Sequence, residues 1–356
     1  MAILLREFAK TKKEEVRSVE KEILTLDKLY EKSKEIAFKS SFSDAEKVWF
    51  DKDLTFHYTA NGEEKTADMS YWAYTQMCRK LGIPIAYVNK CVETDKEFAA
   101  KNLNYWIEHN PEMKVRVKEY TENLAAPPVI SGIVSPQFST TESMSVIKAL
   151  KDTVGDNCDV VGSYCDYDRL HIRLVQKEET SQIRRKLKEY GEVGAGIFGG
   201  IVLNNSDVGQ SSLRIGYLLY RLACTNGMIG HKDLSIYKRS HLGEIDRTAL
   251  KIAFNNINSK IAENDEILSK QIVDAINMNP TDKDYERMLN FVKERAKINK
   301  SDMEKIKVTA ITEYGGFGRA WALCNAITEV AHGYDIERRS ELEGVANTLL
   351  MSLSKF

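Results

Sequence analysis

Apolar residues recur at spacings of three and four between Lys10 and Phe38, at Val16, Val19, Ile23, Leu26 and Tyr30, with charges between them. That period predicts one helix. Its charged flanks mark residues 1–40 as an arm, a place for contact between copies of the chain. A short hairpin follows, turning on Ala60-Asn61-Gly62-Glu63 after the β-rich run Leu54 to Tyr58. Asn-Gly supplies the two positive φ angles that such a turn needs. Asp68 or Ser70 then caps a helix carrying Tyr71, Trp72, Tyr74, Met77 and Leu81, which Gly82-Ile83-Pro84 ends. Two more helices are predicted, from Pro84 to Cys91 and from Asp95 to His109, the latter stopping before Pro111. The chain up to residue 110 therefore reads as mainly helical.

The pattern changes from Met113 to Leu222. Strands are predicted at Met113 to Tyr120, Pro128 to Val134, Asp159 to Tyr164 and Leu170 to Gln176, with a helix from Thr141 to Val154 among them. In Leu170-His171-Ile172-Arg173-Leu174 the period of two puts His171 and Arg173 on one face and the aliphatics on the other. Ile197 to Leu203 and Ser212 to Tyr220 flank Asn204-Asn205-Ser206-Asp207 with Gly209 and read as an antiparallel hairpin. After Gly243 the helical period returns. It predicts a long helix from Glu244 to Asn277, then helices at Asp282 to Asn299, Ser301 to Tyr314, Gly318 to His332 and Ile336 to Leu353. The class that follows is α+β, a mainly antiparallel central sheet flanked by N-terminal and C-terminal helical segments. Residues 41–243 form the α+β core, and 244–356 a helical region packing on it.

Composition adds constraints. The 356 residues, 43% hydrophobic and 29% charged, suit a globular chain with a large core. No stretch approaches the roughly 18 uninterrupted apolar residues of a membrane span. The first residues lack the basic, apolar and small-residue zones of a secretion signal, so a cytoplasmic place in the cell that makes the chain and no membrane partner are expected. Cys78, Cys91, Cys158, Cys165, Cys224 and Cys324 form no Cys-x-x-Cys pair, and reduced, packed thiols are expected. Net charge is −1, yet residues 169–260 hold 15 lysines and arginines against 8 aspartates and glutamates. A basic middle in a neutral chain attracts phosphate.

The familiar catalytic signatures are missing: no phosphate-binding loop opens a helix, and no Gly-x-Ser-x-Gly or His-Glu-x-x-His occurs. Gly194-Ala195-Gly196-Ile197-Phe198-Gly199-Gly200 leads into a β-rich run, so its glycines serve packing rather than an anion. Cys224, His231 and His241, like Cys158, Cys165 and His171, are too widely spaced for a structural zinc site, and no metal or cofactor is expected. On the helix around Trp321, Asn325, Thr328, Glu329 and His332 share one face, beside Cys324 and Ile327. Two readings stay open for that stripe. It is either a buried hydrogen-bond network locking the helix to the sheet, or part of a polar pocket with Asn226, Arg239 and His241.

Arginines and lysines interleave with aromatics through the middle of the chain: Arg169, Arg173, Arg184, Arg185, Lys186, Lys188, Arg214, Arg221, Lys232, Lys238 and Arg239 with Tyr164, Tyr167, Phe198, Tyr217, Tyr220 and Tyr237. Such a surface holds single strands, cations on phosphates and rings on bases.

Five blocks complete the reading. They are Tyr71-Trp72-Ala73-Tyr74-Thr75-Gln76-Met77-Cys78-Arg79-Lys80-Leu81-Gly82-Ile83-Pro84, Asn205-Ser206-Asp207-Val208-Gly209, Arg221-Leu222-Ala223-Cys224-Thr225-Asn226-Gly227-Met228, Arg239-Ser240-His241-Leu242-Gly243 and Asn325-Ala326-Ile327-Thr328. In this order they resemble the phage- and plasmid-borne family known as domain of unknown function 932, from Tyr71 to the C-terminal helix. The resemblance implies a mobile-element origin near replication or recombination genes, and no activity or catalytic residue. The leading expectation is a non-enzymatic nucleic-acid-binding protein preferring single-stranded DNA. Arg173, Arg214, Arg221, Lys238 and Arg239 would meet phosphates, and Tyr217 and Tyr237 would stack. The alternatives are an enzyme acting on a nucleotide or nucleic acid through His241, His332, Asn325 and Arg239 in one pocket, and a structural or host-interaction protein self-assembling through its N-terminal helix into a homo-oligomer.

Overall fold

The computed structural model describes residues 23–110, 114–121, 127–154, 157–178, 185, 197–221, 226–229, 235–241, 247–312, 314 and 320–356. Most of the N-terminal arm lies outside them. The part described forms helix α1 (Leu26–Phe38), capped by Thr25, with Leu26 and Leu29 buried.

The α+β class holds, and the strands divide between two sheets of six. The first is built from β1 (Ser40–Ala45), β2 (Lys47–Phe50), β3 (Phe56–Ala60), β4 (Glu63–Met69), β5 (Val115–Tyr120) and β6 (Val129–Val134), in the spatial order β1-β5-β6-β4-β3-β2. All its pairs are antiparallel except β4 with β6. The Asn61-Gly62 turn joins β3 to β4 with positive φ at both residues. One face of this sheet is covered by α2 (Tyr71–Lys80), α3 (Ile85–Thr94) and α4 (Lys96–Glu108), burying Phe56, Tyr58, Tyr74, Met77 and Leu103 in one apolar cluster. Among the described residues up to 110 helix outweighs strand, as expected, but four strands precede α2, of which β1 and β2 were not expected. Ser40–Ala45 and Lys47–Phe50 are short and carry no period-two signal strong enough to announce a strand.

The second sheet contains β7 (Cys158–Cys165), β8 (Leu170–Gln176), β9 (Ile197–Asn205), β10 (Leu213–Arg221), β11 (Asn226–Ile229) and β12 (Ser235–Arg239). β7 to β11 run side by side in chain order, and β12 shares the outer edge of β10 with β11. Helix α5 (Ser143–Val154) precedes β7. After β12 come α6 (Arg247–Asn255), α7 (Ile257–Asn277), α8 (Asp282–Ala296), α9 (Lys300–Thr312), α10 (Ala320–Ala331) and α11 (Ile336–Leu350). The single helix predicted over Glu244 to Asn277 is therefore two, interrupted at Asn256, a residue type whose side chain competes with the helical backbone. Residues from α1, α5, this sheet and the C-terminal helices pack in one large cluster that includes Ile172, Leu203, Tyr217, Phe254, Leu268 and Leu323. Among the described residues no helix is long and apolar enough to cross a membrane.

Candidate functional site

Asn205 and the turn that follows it are where the two sheets meet. Asp207 accepts hydrogen bonds at Oδ1 from the Ser143 amide (3.0 Å), the Ser143 hydroxyl (2.8 Å) and Asn205 Nδ2 (3.2 Å). Its Oδ2 faces Lys118 Nζ of β5 at 3.4 Å. The Val208 carbonyl accepts from Trp72 Nε1 (3.2 Å) and Gln76 Nε2 (2.8 Å), while Gln76 Oε1 accepts from the Ile133 amide (2.8 Å). Val208 presses on Gly132 of β6, where an added Cβ would sit 2.6 Å from the valine Cβ. Only glycine admits that approach.

Three of the five sequence blocks converge here. Besides Trp72 with Gln76 and the turn itself, Arg239 Nη1 donates to Thr141 Oγ1 (3.1 Å). His241 Nε2 contacts the Ser211 carbonyl at 2.9 Å, its own carbonyl accepts from the Ser139 amide (2.9 Å), and its ring lies 5.3 Å from that of Phe138. Burial lowers the basicity of His241 below that of a free imidazole.

Beside the turn a cleft of about 620 Å³ opens, lined by Phe42, Arg116, Lys118, Phe138, Glu142 and Asp207 among others. Its wall follows from strand register: Phe42 stands opposite Lys118 and Asp44 opposite Arg116, so all four share one face of the first sheet. Both cations lie over the Phe42 ring, the Arg116 guanidinium at 5.1 Å and Lys118 Nζ at 5.7 Å.

A second polar assembly occupies the other side of the second sheet. Arg173 of β8 makes a two-pronged ion pair with Glu343 of α11, at 2.9 Å and 2.8 Å, and Arg339 Nε donates to the same carboxylate (2.9 Å). Arg173 Nε donates to His171 Nε2 (3.1 Å), and His171 Nδ1 lies 2.6 Å from Asn204 Oδ1. Because a guanidinium only donates, Nε2 of His171 accepts and Nδ1 carries the proton toward the Asn204 oxygen. Burial, reinforced by the Arg173 charge, holds the His171 pKa down at about 3. At the far end Arg339 Nη2 donates to His332 Nε2 (3.1 Å).

The sequence candidates fall into separate places. Arg214 and Lys238 face each other directly across β10 and β12, both exposed. Arg173, with 3% of its surface exposed, is committed to Glu343 and offers nothing to phosphate from outside. Tyr217 is fully buried and donates its hydroxyl to Asp265 of α7, so it cannot stack on a base. Ile215 pairs with Tyr237 and Leu213 with Arg239, so alternation turns Tyr237 and Arg239 to the core side, away from Arg214 and Lys238. The backbones of Arg221 and Asn226 pair with each other, and their side chains, with Cys224, His231, Arg184, Lys186, Lys188 and Lys232, lie outside the described residues.

The described residues of the proposed polar pocket bond in separate places. Asn325 Nδ2 donates to the Trp321 carbonyl (2.9 Å) and Thr328 Oγ1 to the Asn325 carbonyl (2.8 Å), both within their own helix. His241 belongs to the turn cluster and His332 to the Arg339 cluster. A buried polar stripe solves its hydrogen bonding locally when the neighbouring surface is apolar. The five described cysteines are buried and unpaired, and burial pushes Cys165 and Cys324 up to about 12. Among the described residues no three His, Cys, Asp or Glu side chains gather as a metal site would require.

Sequence reasoning missed Phe42, Arg116, Lys118 and Glu343. Arg173 did carry a signal, as a lone charge in a strand whose neighbours are aliphatic on both sides, which calls for a buried acid. No family model, curated protein or solved structure matches this chain, so the resemblance to domain of unknown function 932 rests on its five blocks alone.

Proposed function

We propose that this chain binds nucleic acid through the phosphate backbone, with single-stranded DNA of a phage or plasmid as its ligand. One observation carries the reading: Arg214 and Lys238 stand directly opposite on paired antiparallel strands, exposed. Arg214 reaches only the hydroxyl of Ser212 (2.8 Å), and among the described residues neither cation has a carboxylate partner. Like charges directly opposite in a sheet destabilise it, and a phosphate placed between them reverses the sign of that interaction. The surrounding segment, 169–260, adds a local excess of basic residues to a chain of net charge −1. Replication, recombination or protection of mobile-element DNA is the setting that the five blocks suggest. The burial of Tyr217 and the inward turn of Tyr237 narrow the reading to phosphate contact, without base stacking at this row.

The test is fluorescence anisotropy of labelled single- and double-stranded oligonucleotides over a salt series. Tighter binding to single strands, weakening with salt, is expected. Arg214→Glu with Lys238→Glu should abolish it at moderate salt. Arg214→Gln with Lys238→Gln should lower the slope of log K against log salt by about 1.4, two phosphate contacts at about 0.7 each. Unchanged binding with an intact circular-dichroism spectrum removes the row from the mechanism.

A further inference from the structure

The cleft beside the Asp207 turn is lined by neither Arg214 nor Lys238, and its chemistry is more specific. We propose that it is a binding site for a nucleotide unit, whose phosphate is held by Lys118 and Arg116 and whose base lies against Phe42 and Phe138.

Lys118 is the central observation. Its side chain is 5% exposed, and among the described residues its one ionic partner is Asp207, at 3.4 Å. A buried ammonium has three N–H groups to satisfy, and one long ion pair leaves two of them directed elsewhere. Asp207 takes three hydrogen bonds from Ser143 and Asn205, so its carboxylate does not depend on Lys118 alone for partners. Arg116 is similarly available. Its Nε meets Asp44 at 3.0 Å, but that carboxylate is 83% exposed, and an exposed pair of this kind is weak. Among the described residues no acceptor takes the remaining edge of the guanidinium, which suits a phosphate with two parallel hydrogen bonds.

The rest of the lining defines what else the ligand carries. Phe42 and Phe138, ring centres 6.4 Å apart and tilted by 40°, form an apolar wall beside the two cations. A simple inorganic anion would leave that wall wet, whereas a flat heterocycle covers it. A cleft of about 620 Å³ lies in the size range of small-ligand sites, about 300–1,000 Å³. The exposed Glu142 stands at the rim, where a sugar hydroxyl could donate to it. Two sources supply this chemistry, a free mononucleotide and the 5′-phosphorylated end of a strand.

Calorimetric titration of the full chain with adenosine monophosphate, adenosine and inorganic phosphate tests the site. A second arm measures binding of one oligonucleotide with and without a 5′-phosphate, in the Arg214→Glu, Lys238→Glu background, so that loss of the row does not mask the cleft. The expected result is that adenosine monophosphate or the 5′-phosphorylated strand binds, and that Arg116→Gln, the loss of one charge-assisted contact, and Phe42→Leu, the loss of a stacking ring, each weaken it by about tenfold or more. Both positions are partly exposed, so both variants should keep the fold. Preference for the phosphorylated strand identifies a strand end as the ligand, and equal strand binding with nucleotide binding identifies a free nucleotide. The proposal is overturned if neither probe binds, if the two variants bind as the parent does, or if inorganic phosphate binds as tightly as the nucleotide.

Discussion

His171 illustrates how a single buried side chain sets a pH response. It is neutral because it accepts from Arg173 and is buried beside that charge, with a pKa of about 3. The unfolded chain returns it to an ordinary value of about 6.5. Between those limits the unfolded state binds a proton that the folded state refuses, so stability falls as pH drops, by up to about 1.4 kcal/mol per pH unit. Urea midpoints at pH 7, 5.5 and 4.5 should decline, and His171→Gln should flatten that decline; an unchanged slope would show that other groups set it. Glu343 sharpens the same point. Glu343→Gln leaves two guanidiniums without their acid and should cost about 3–5 kcal/mol, read from denaturant unfolding. Arg173→Met with Glu343→Leu should recover much of that loss, because the fully buried charge is then gone and only the partly exposed Arg339 lacks that acid. The period of two placed His171 and Arg173 on one face from the sequence alone. It could not show that this face is covered, since the covering acid lies 170 positions along the chain.

Elements with strong local signals were legible, and those whose partners are distant were not. The hairpin at Asn61-Gly62, the helix capped by Ser70, strand Leu170–Gln176 and the paired β9 and β10 follow from turn chemistry and period. The parallel contact of β4 with β6 has no local signature, because Asp68 and Met69 pair with Val129 and Ile130 across three intervening helices. The Asp207 turn was visible as a turn but not as a junction, since its partners come from α2, β5, β6 and α5. Gly132 tests the junction at the level of packing. Gly132→Ala places a methyl group 2.6 Å from the Val208 Cβ, so the turn must retreat from the sheet. Overpacking of this kind costs about 1–3 kcal/mol. Thermal unfolding should show that loss, and adding Val208→Ala should restore part of it. A Gly132→Ala chain as stable as the parent would mean that the turn yields without strain.

At the scale of the whole molecule the two largest apolar clusters, one around the first sheet and one around the second, are joined by the polar contacts of the Asp207 turn and the packing of Val208 on Gly132. Sequence reading found the α+β class and the basic middle, yet treated the candidates as one surface. The fold distributes them over a buried ion network, a core-facing edge and an exposed row. That distribution makes the junction a mechanical question. Asp207 ties α5, the β9–β10 turn and Lys118 together, so Asp207→Ala removes the contacts that carry stability from one cluster to the other. It also strands the buried Lys118, a change worth about 3–5 kcal/mol where the partner is lost entirely. If these contacts enforce cooperativity, calorimetry should show one transition for the parent chain and two for Asp207→Ala, with the smaller cluster of residues 48–133 melting first. Lys118→Met added to Asp207→Ala should raise the lower transition again without fusing the two, because it removes the stranded charge but not the missing tie. A single transition in Asp207→Ala, displaced only in temperature, would place the coupling in the apolar contact of Val208 with Gly132 and in the bonds from Trp72 and Gln76 instead.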